Sequence, residues 1–394
     1  MKTKFLFKDI FTQANIYTSI CLLYFLRHII FGNFSLIGRG LFVLFYLFSL
    51  YYYLKANTEC KITGSLRALN VCLIIIFIYG FLFMFMGTDP TWKRSASREY
   101  YLLIHWESIL PIYAFYYFSV KRQIDERWFR FIAIIFFITA YIQFSVAGAL
   151  KEENLDKEEV VNNEAYLWVS LFPILAFFDK KPVIKYLGSL IISFFLIAGF
   201  KRGAILLGGI CFVIFLWRTI RQSKGYVWWL TVALSIGLIY VIYRYLESYL
   251  LVSDLMAKRL EVTMEGGSSG RDVIYSDYWS FFWHQDNLIS VVLGNGAFGT
   301  LKYLGLMAHN DWLEFMIDTG IIGTLAYMVY WLKNIKMCVK CKSICSNEVY
   351  LGILFFVIVN LGRSFFSMSI MCMPFYATSV FGYLVAQYEK NIKI

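Results

Sequence analysis

Charge is what this sequence has least of. Of its 394 residues only 16% are charged, whereas 59% are hydrophobic and 20% aromatic. A soluble fold of this length needs far more polar surface, so a chain of two or three globular domains is excluded. There is no nucleotide-binding glycine loop and no zinc-protease motif, which argues against ATP-driven transport by this chain alone. No internal repeat relates the two halves, and this lowers the case for a secondary transporter. The first apolar run carries Arg27 and His28 and lacks a small-residue cleavage site, so it reads as a retained helix. The eight cysteines lie inside apolar blocks or in loops assigned to the cytoplasm, so no disulfide framework is expected. Cys338, Cys341 and Cys345 are spaced like part of a zinc site but have no fourth ligand nearby; neither a metal nor another cofactor is expected.

What the sequence does have is long apolar blocks, among them 66–86, 129–147, 183–199, 203–217 and 349–358. A helix needs roughly 20 apolar residues to cross hydrocarbon. The blocks and their polar breaks predict an all-α polytopic membrane protein with about twelve transmembrane helices. These fall near 14–32, 36–54, 66–86, 101–120, 128–148, 164–178, 183–199, 203–220, 226–243, 311–332, 349–366 and 370–388. Alternate breaks are basic, as in Lys121/Arg122/Arg127/Arg130 and Lys333/Lys336/Lys340/Lys342. The positive-inside rule puts these breaks, and both chain ends, in the cytoplasm. The net charge of +11 is therefore a topology signal, and nucleic acid is not an expected partner. The bilayer is. On the opposite side lie 151–164, with six acidic residues against two lysines, and one interruption of about 65 residues from Arg244 to Ala308. The chain thus divides into helices over 1–243, an extracytoplasmic loop over 244–308, and further helices over 309–394.

Three patches on the outer side carry chemistry. The first is Gly266-Gly267-Ser268-Ser269-Gly270-Arg271-Asp272, where flexible backbone can turn N–H groups toward an anion and Arg271 opens a helix. A guanidinium there suits a phosphate or diphosphate; the plain alternative is a capped turn with a solvated arginine. The second is Ala308-His309-Asn310-Asp311-Trp312-Leu313-Glu314. His309 can exchange a proton near neutral pH, Asn310 is a good N-cap, and Asp311 and Glu314 suit the positive end of the helix dipole. The spacing of 311, 314 and 318 puts three carboxylates on one helix face, with Asp318 two turns into the membrane. The third patch is Lys201-Arg202, two cations in a tight turn on the side where basic residues are disfavoured. Snorkelling to headgroups is their plain reading, and a local anion is the alternative. Arg363, near the outer end of its span, raises the same question. His28, His105 and His284 stand alone and are expected to be structural.

Taken in order, Arg202-Gly203-Ala204, Ser269 to Asp272 followed by Tyr278-Trp279, and His309 to Gly323 with its Gly-Ile-Ile-Gly segment resemble the bacterial O-antigen polymerase and O-antigen ligase superfamily. The resemblance covers roughly 183–332 by motif and the rest by helix layout. It implies a membrane glycosyltransferase fold of the GT-C kind. The implied activity is inverting and metal-independent, on undecaprenyl-diphosphate-linked oligosaccharides at the outer face of the inner membrane. The family arginines would fall on Arg202 and Arg271, with Lys201 and Arg363 as further diphosphate ligands, and the family histidine on His309, helped by Glu314. Where relatives often carry Glu, this chain has Asp318. A polymerase, with a chain-length regulator as possible partner, is the preferred expectation. A ligase acting on lipid A–core is the alternative within the family, and a flippase or other transporter, or an assembly protein, lies outside it.

Overall fold

A computed structural model describes residues 12–32, 35–85, 98–153, 163–199, 201–222 and 271–392, with scattered positions between 225 and 247. The expected span at 226–243 and most of the stretch to Gly270 lie outside the described residues. The described chain is helical: α1 (Gln13–Ile30), α2 (Leu36–Glu59), α3 (Gly64–Phe85), α4 (Arg98–Val120), α5 (Glu126–Glu153), α6 (Ala165–Val169), α7 (Phe172–Leu175), α8 (Pro182–Ala198) and α9 (Arg202–Gln222). After the gap come α10 (Arg271–Trp283), α11 (Leu288–Leu293), α12 (Gly299–Leu304), α13 (Asp311–Ile344), α14 (Asn347–Phe366) and α15 (Phe375–Ile392). Local chemistry sets several of the starts. The Thr12, Ser35, Asn310 and Ser346 side chains each accept an N–H from the first turn that follows, satisfying donors a helix leaves open.

Among the described residues, six helices are long and apolar enough to cross a membrane: those at Leu36–Glu59, Gly64–Leu82, Glu126–Ala149, Arg202–Arg221, Asp311–Ile344 and Asn347–Phe366. Their large apolar side chains face outward, as with Leu47 and Leu54 on α2 and Phe131, Ile134 and Ile138 on α5, all more than half exposed. A belt of that size has no place in water and belongs against lipid. This is an α-helical membrane protein. The helices falling short of that apolar test include α4 and α15, which are sheathed by the others: Phe375 to Ala386 is buried throughout. Protein rather than lipid surrounds them, so they can carry polar groups. They lie backbone to backbone, because a Cβ on Gly382 would overlap the Ile112 carbonyl of α4.

Two expected helices are shaped differently. The segment 164–178 is three short pieces, α6, α7 and a 3-10 turn at Ala176–Phe178, with Pro173 opening α7. The segment from Asp311 is a hairpin. Gly320 has φ 64° and ψ −161°, and the Tyr327 hydroxyl donates to Asp311 at 2.7 Å. In an unbroken helix those two residues would be about 24 Å apart, so the chain reverses at Gly320 and 311–319 runs back along 321–344. The carbonyls stranded at the reversal are satisfied from outside: Asn295 N donates to Ile317 O at 2.8 Å and Gly296 N to Asp318 O at 2.9 Å. Asp318 therefore sits at the turn, and it is Asp311 that lies further along the second arm. That inverts the expected depth order of the two carboxylates. The second arm also continues helical through Lys333–Lys342 to Ile344, where a basic loop was expected, since that stretch holds no glycine or proline.

Candidate functional site

The end of α14 gathers the segments that the sequence reading expects on the outer side. A helix leaves its last carbonyls without partners, and here they draw donors from elsewhere. Arg271 Nη1, at the start of α10, donates to Phe366 O at 2.8 Å. The Tyr275 hydroxyl and Asn310 Nδ2 both donate to Phe365 O, at 3.2 and 3.3 Å. Trp312 Nε1 donates to Ser364 Oγ at 3.0 Å. On the other side the start of α9 closes in, with Gly203 so near that a Cβ would overlap the Tyr166 hydroxyl and lie 3.1 Å from Phe366 Cβ. Lys201 Nζ donates to Asn163 Oδ1 at 2.7 Å, and the Arg202 side chain is exposed beside it.

Arg363 sits one turn below that end and is 6% exposed. Its guanidinium lies 4.8 Å from the centre of the Tyr166 ring, yet among the described residues Nε and Nη1 have no hydrogen-bond partner. The buried hydroxyls of Tyr166 and Tyr376 also have none. Leaving such groups unpaired costs on the order of 1–3 kcal/mol each, more for a charge. Asp311 is electrostatically close but already committed: its carboxylate accepts Ser369 N, Ile370 N and the Tyr327 hydroxyl, at 3.0, 3.0 and 2.7 Å. It therefore holds the turn after α14 rather than capping its own helix as expected, and the N-cap is Asn310, whose Oδ1 accepts from Trp312 N and Leu313 N at 2.9 and 3.2 Å.

His309 is exposed at the mouth of this cluster, with φ 50°. Crowding by surrounding protein, then the charges of Lys201 and Arg271, lower its pKa, so the imidazole is neutral at neutral pH and able to accept a proton. Glu314, expected to assist it directly, is 2% exposed. One of its oxygens accepts the Thr300 hydroxyl at 2.6 Å and the other the Ala308 N–H at 2.5 Å, which pins the backbone that presents His309. Asp318 meets Thr300 N at 3.4 Å and keeps one oxygen unpartnered. The three carboxylates thus do share a buried face but serve different neighbours.

No family model matches this chain, and no curated protein does. The placement stands on geometry alone. Of the residues singled out by sequence, Lys201, Arg271 and His309 come within electrostatic range of one another, Arg363 lies beside them, and Arg202 is adjacent in the chain. The glycine-serine stretch before Arg271 lies outside the described residues. Sequence reading missed Tyr166 and Tyr376, two tyrosines among 29, because nothing local marks a hydroxyl whose partner is missing. Elsewhere, among the described residues no group of three Cys, His, Asp or Glu side chains has metal-holding geometry.

Proposed function

We propose that this chain is a glycosyltransferase that joins undecaprenyl-diphosphate-linked oligosaccharide units at the outer face of a bacterial inner membrane, as an O-antigen or surface-polysaccharide polymerase. The observation that carries this reading is a buried guanidinium with two unpartnered nitrogens, next to Lys201, Arg271 and an exposed neutral histidine. Cations gathered at one end of a membrane bundle, with two Arg363 nitrogens unpartnered among the described residues, suit a diphosphate anchored by a lipid tail. The donor diphosphate lies among Arg271, Arg363, Lys201 and Arg202. These stabilise the charge that grows as the anomeric C–O bond breaks and the lipid diphosphate departs with the electron pair. On the opposite face of that carbon the acceptor hydroxyl forms the new C–O bond and gives its proton to His309, which inverts the configuration. Glu314 positions His309 through the Ala308–Asn310 backbone. The chemistry uses protein side chains and needs no metal.

The test is the surface glycan of a strain lacking this gene, complemented with wild type, His309→Ala, Arg271→Ala or Arg363→Ala at equal membrane abundance. Single repeat units on lipid A–core, with no longer chains, are expected for each variant. Long chains accumulating on the lipid diphosphate, with none transferred, would identify a ligase instead. Wild-type glycan from all three variants would sink the catalytic reading in favour of a transporter.

A further inference from the structure

At the opposite end of the bundle from His309, α3, α13 and α15 flank an open cavity of about 160 Å³. Three cations line it: Lys333, Lys336 and Lys340, spaced three and four apart so that they form one stripe on α13. Gly64 and Ser65, the first residues of the 22-residue α3, line it as well, bringing the positive end of that helix's dipole. Among the described residues the one carboxylate in the wall is Glu389 of α15, whose Oε1 accepts the Thr63 N–H and hydroxyl at 3.2 and 2.7 Å and whose Oε2 accepts the Tyr116 hydroxyl at 2.7 Å. None of the three lysines has a salt-bridge partner among the described residues. Three positive charges and a helix N-terminus therefore face a space holding one negative charge that is already hydrogen-bonded. The rest of the wall comes from Thr63, Met337, Val385, Tyr388 and Ile392, apolar but for two hydroxyls.

That combination of cations, a helix start and an apolar flank suits a phosphate attached to something greasy. We propose that the cavity seats the headgroup phosphate of an anionic phospholipid from the leaflet that the positive-inside rule makes cytoplasmic. Basic pockets between membrane helices on that side are suited to such headgroups. Inorganic phosphate shares the charge but has no use for the apolar wall, so the two sources are separable. The proposal does not depend on the glycosyltransferase reading.

Native mass spectrometry of the full-length protein released from nanodiscs of equal parts phosphatidylglycerol and phosphatidylcholine is the test. Wild type is expected to retain phosphatidylglycerol preferentially. Lys333→Gln, Lys336→Gln and Lys340→Gln together should weaken that retention about a hundredfold, from about fivefold per lysine, while the three Lys→Arg changes preserve it. Excess inorganic phosphate should not displace the lipid. Equal retention of both lipids by wild type would overturn the proposal without any variant being needed, as would undiminished preference in the folded Gln variant. Displacement by inorganic phosphate would overturn the lipid assignment and make this a site for a free anion.

Discussion

At the residue scale the candidate site is built from groups that cost stability. His309 holds a left-handed backbone conformation, which is about 1–2 kcal/mol unfavourable for a residue with a Cβ. His309→Gly should therefore be more stable than His309→Ala by about 1 kcal/mol in thermal unfolding, while both lose activity. Crowding by protein, then Lys201 and Arg271, lower the His309 pKa; under the proposed mechanism, in which the base form acts, activity should rise with pH through an inflection below about 6.5 and be level by neutral pH. Lys201→Gln removes one of the charges and should move that acid limb to higher pH; an unmoved limb would show that His309 is not the titrating group. Arg363→Met replaces a buried, incompletely paired charge with an apolar chain of similar reach, so folding should hold or improve. Turnover should fall by about a hundredfold or more, as when one preorganised donor to a developing anion is lost.

The helical hairpin is the element on which the site depends. Its reversal brings Gly320 and Gly294, both at positive φ, into backbone contact: a Cβ on Gly320 would lie 2.5 Å from Gly294 N and Val292 O. Backbone cannot give way as a flexible side chain can. Gly320→Ala should accordingly destabilise the protein by more than the 1–2 kcal/mol or so of the φ penalty alone, and displace the loop that carries His309. Gly209→Ala on α9, where a Cβ meets nothing within 4 Å, is the control and should be within about 0.5 kcal/mol of wild type. Equal melting temperatures for the two variants would show that the reversal is not fixed by glycine. The Gly-Ile-Ile-Gly segment was visible as a motif, but its role as a turning point was not. A continuous apolar run gives no sign of a break when the groups that satisfy it, the Asn295 and Gly296 amides, come from another part of the chain.

For the whole molecule, orientation is the testable property. The basic end of α13 meets the start of α14 at Cys345–Ser346, while α10 to α12 gather at the other end with His309. In a cysteine-free background, Tyr303→Cys, at an exposed position on α12, should react with a membrane-impermeant maleimide in cells whose outer membrane is opened. Ser346→Cys should react only after the inner membrane is lysed. The reverse pattern would place the candidate site in the cytoplasm, where no extracytoplasmic polymerisation is possible.

Sequence alone determined that this is a helical membrane protein and where most of its helices run, and it set the expectation that one group of cations and a histidine shares a single side. Those properties follow from hydrocarbon thickness, backbone hydrogen bonding and charge placement, all of which act on contiguous residues. Only the tertiary structure decided that 311–344 doubles back, that Asp311 braces the turn after α14, that Glu314 holds a loop, and that Arg363 is short of partners between Tyr166 and Tyr376. Each depends on which groups from distant segments arrive at the same place, and periodicity along one segment carries no record of that.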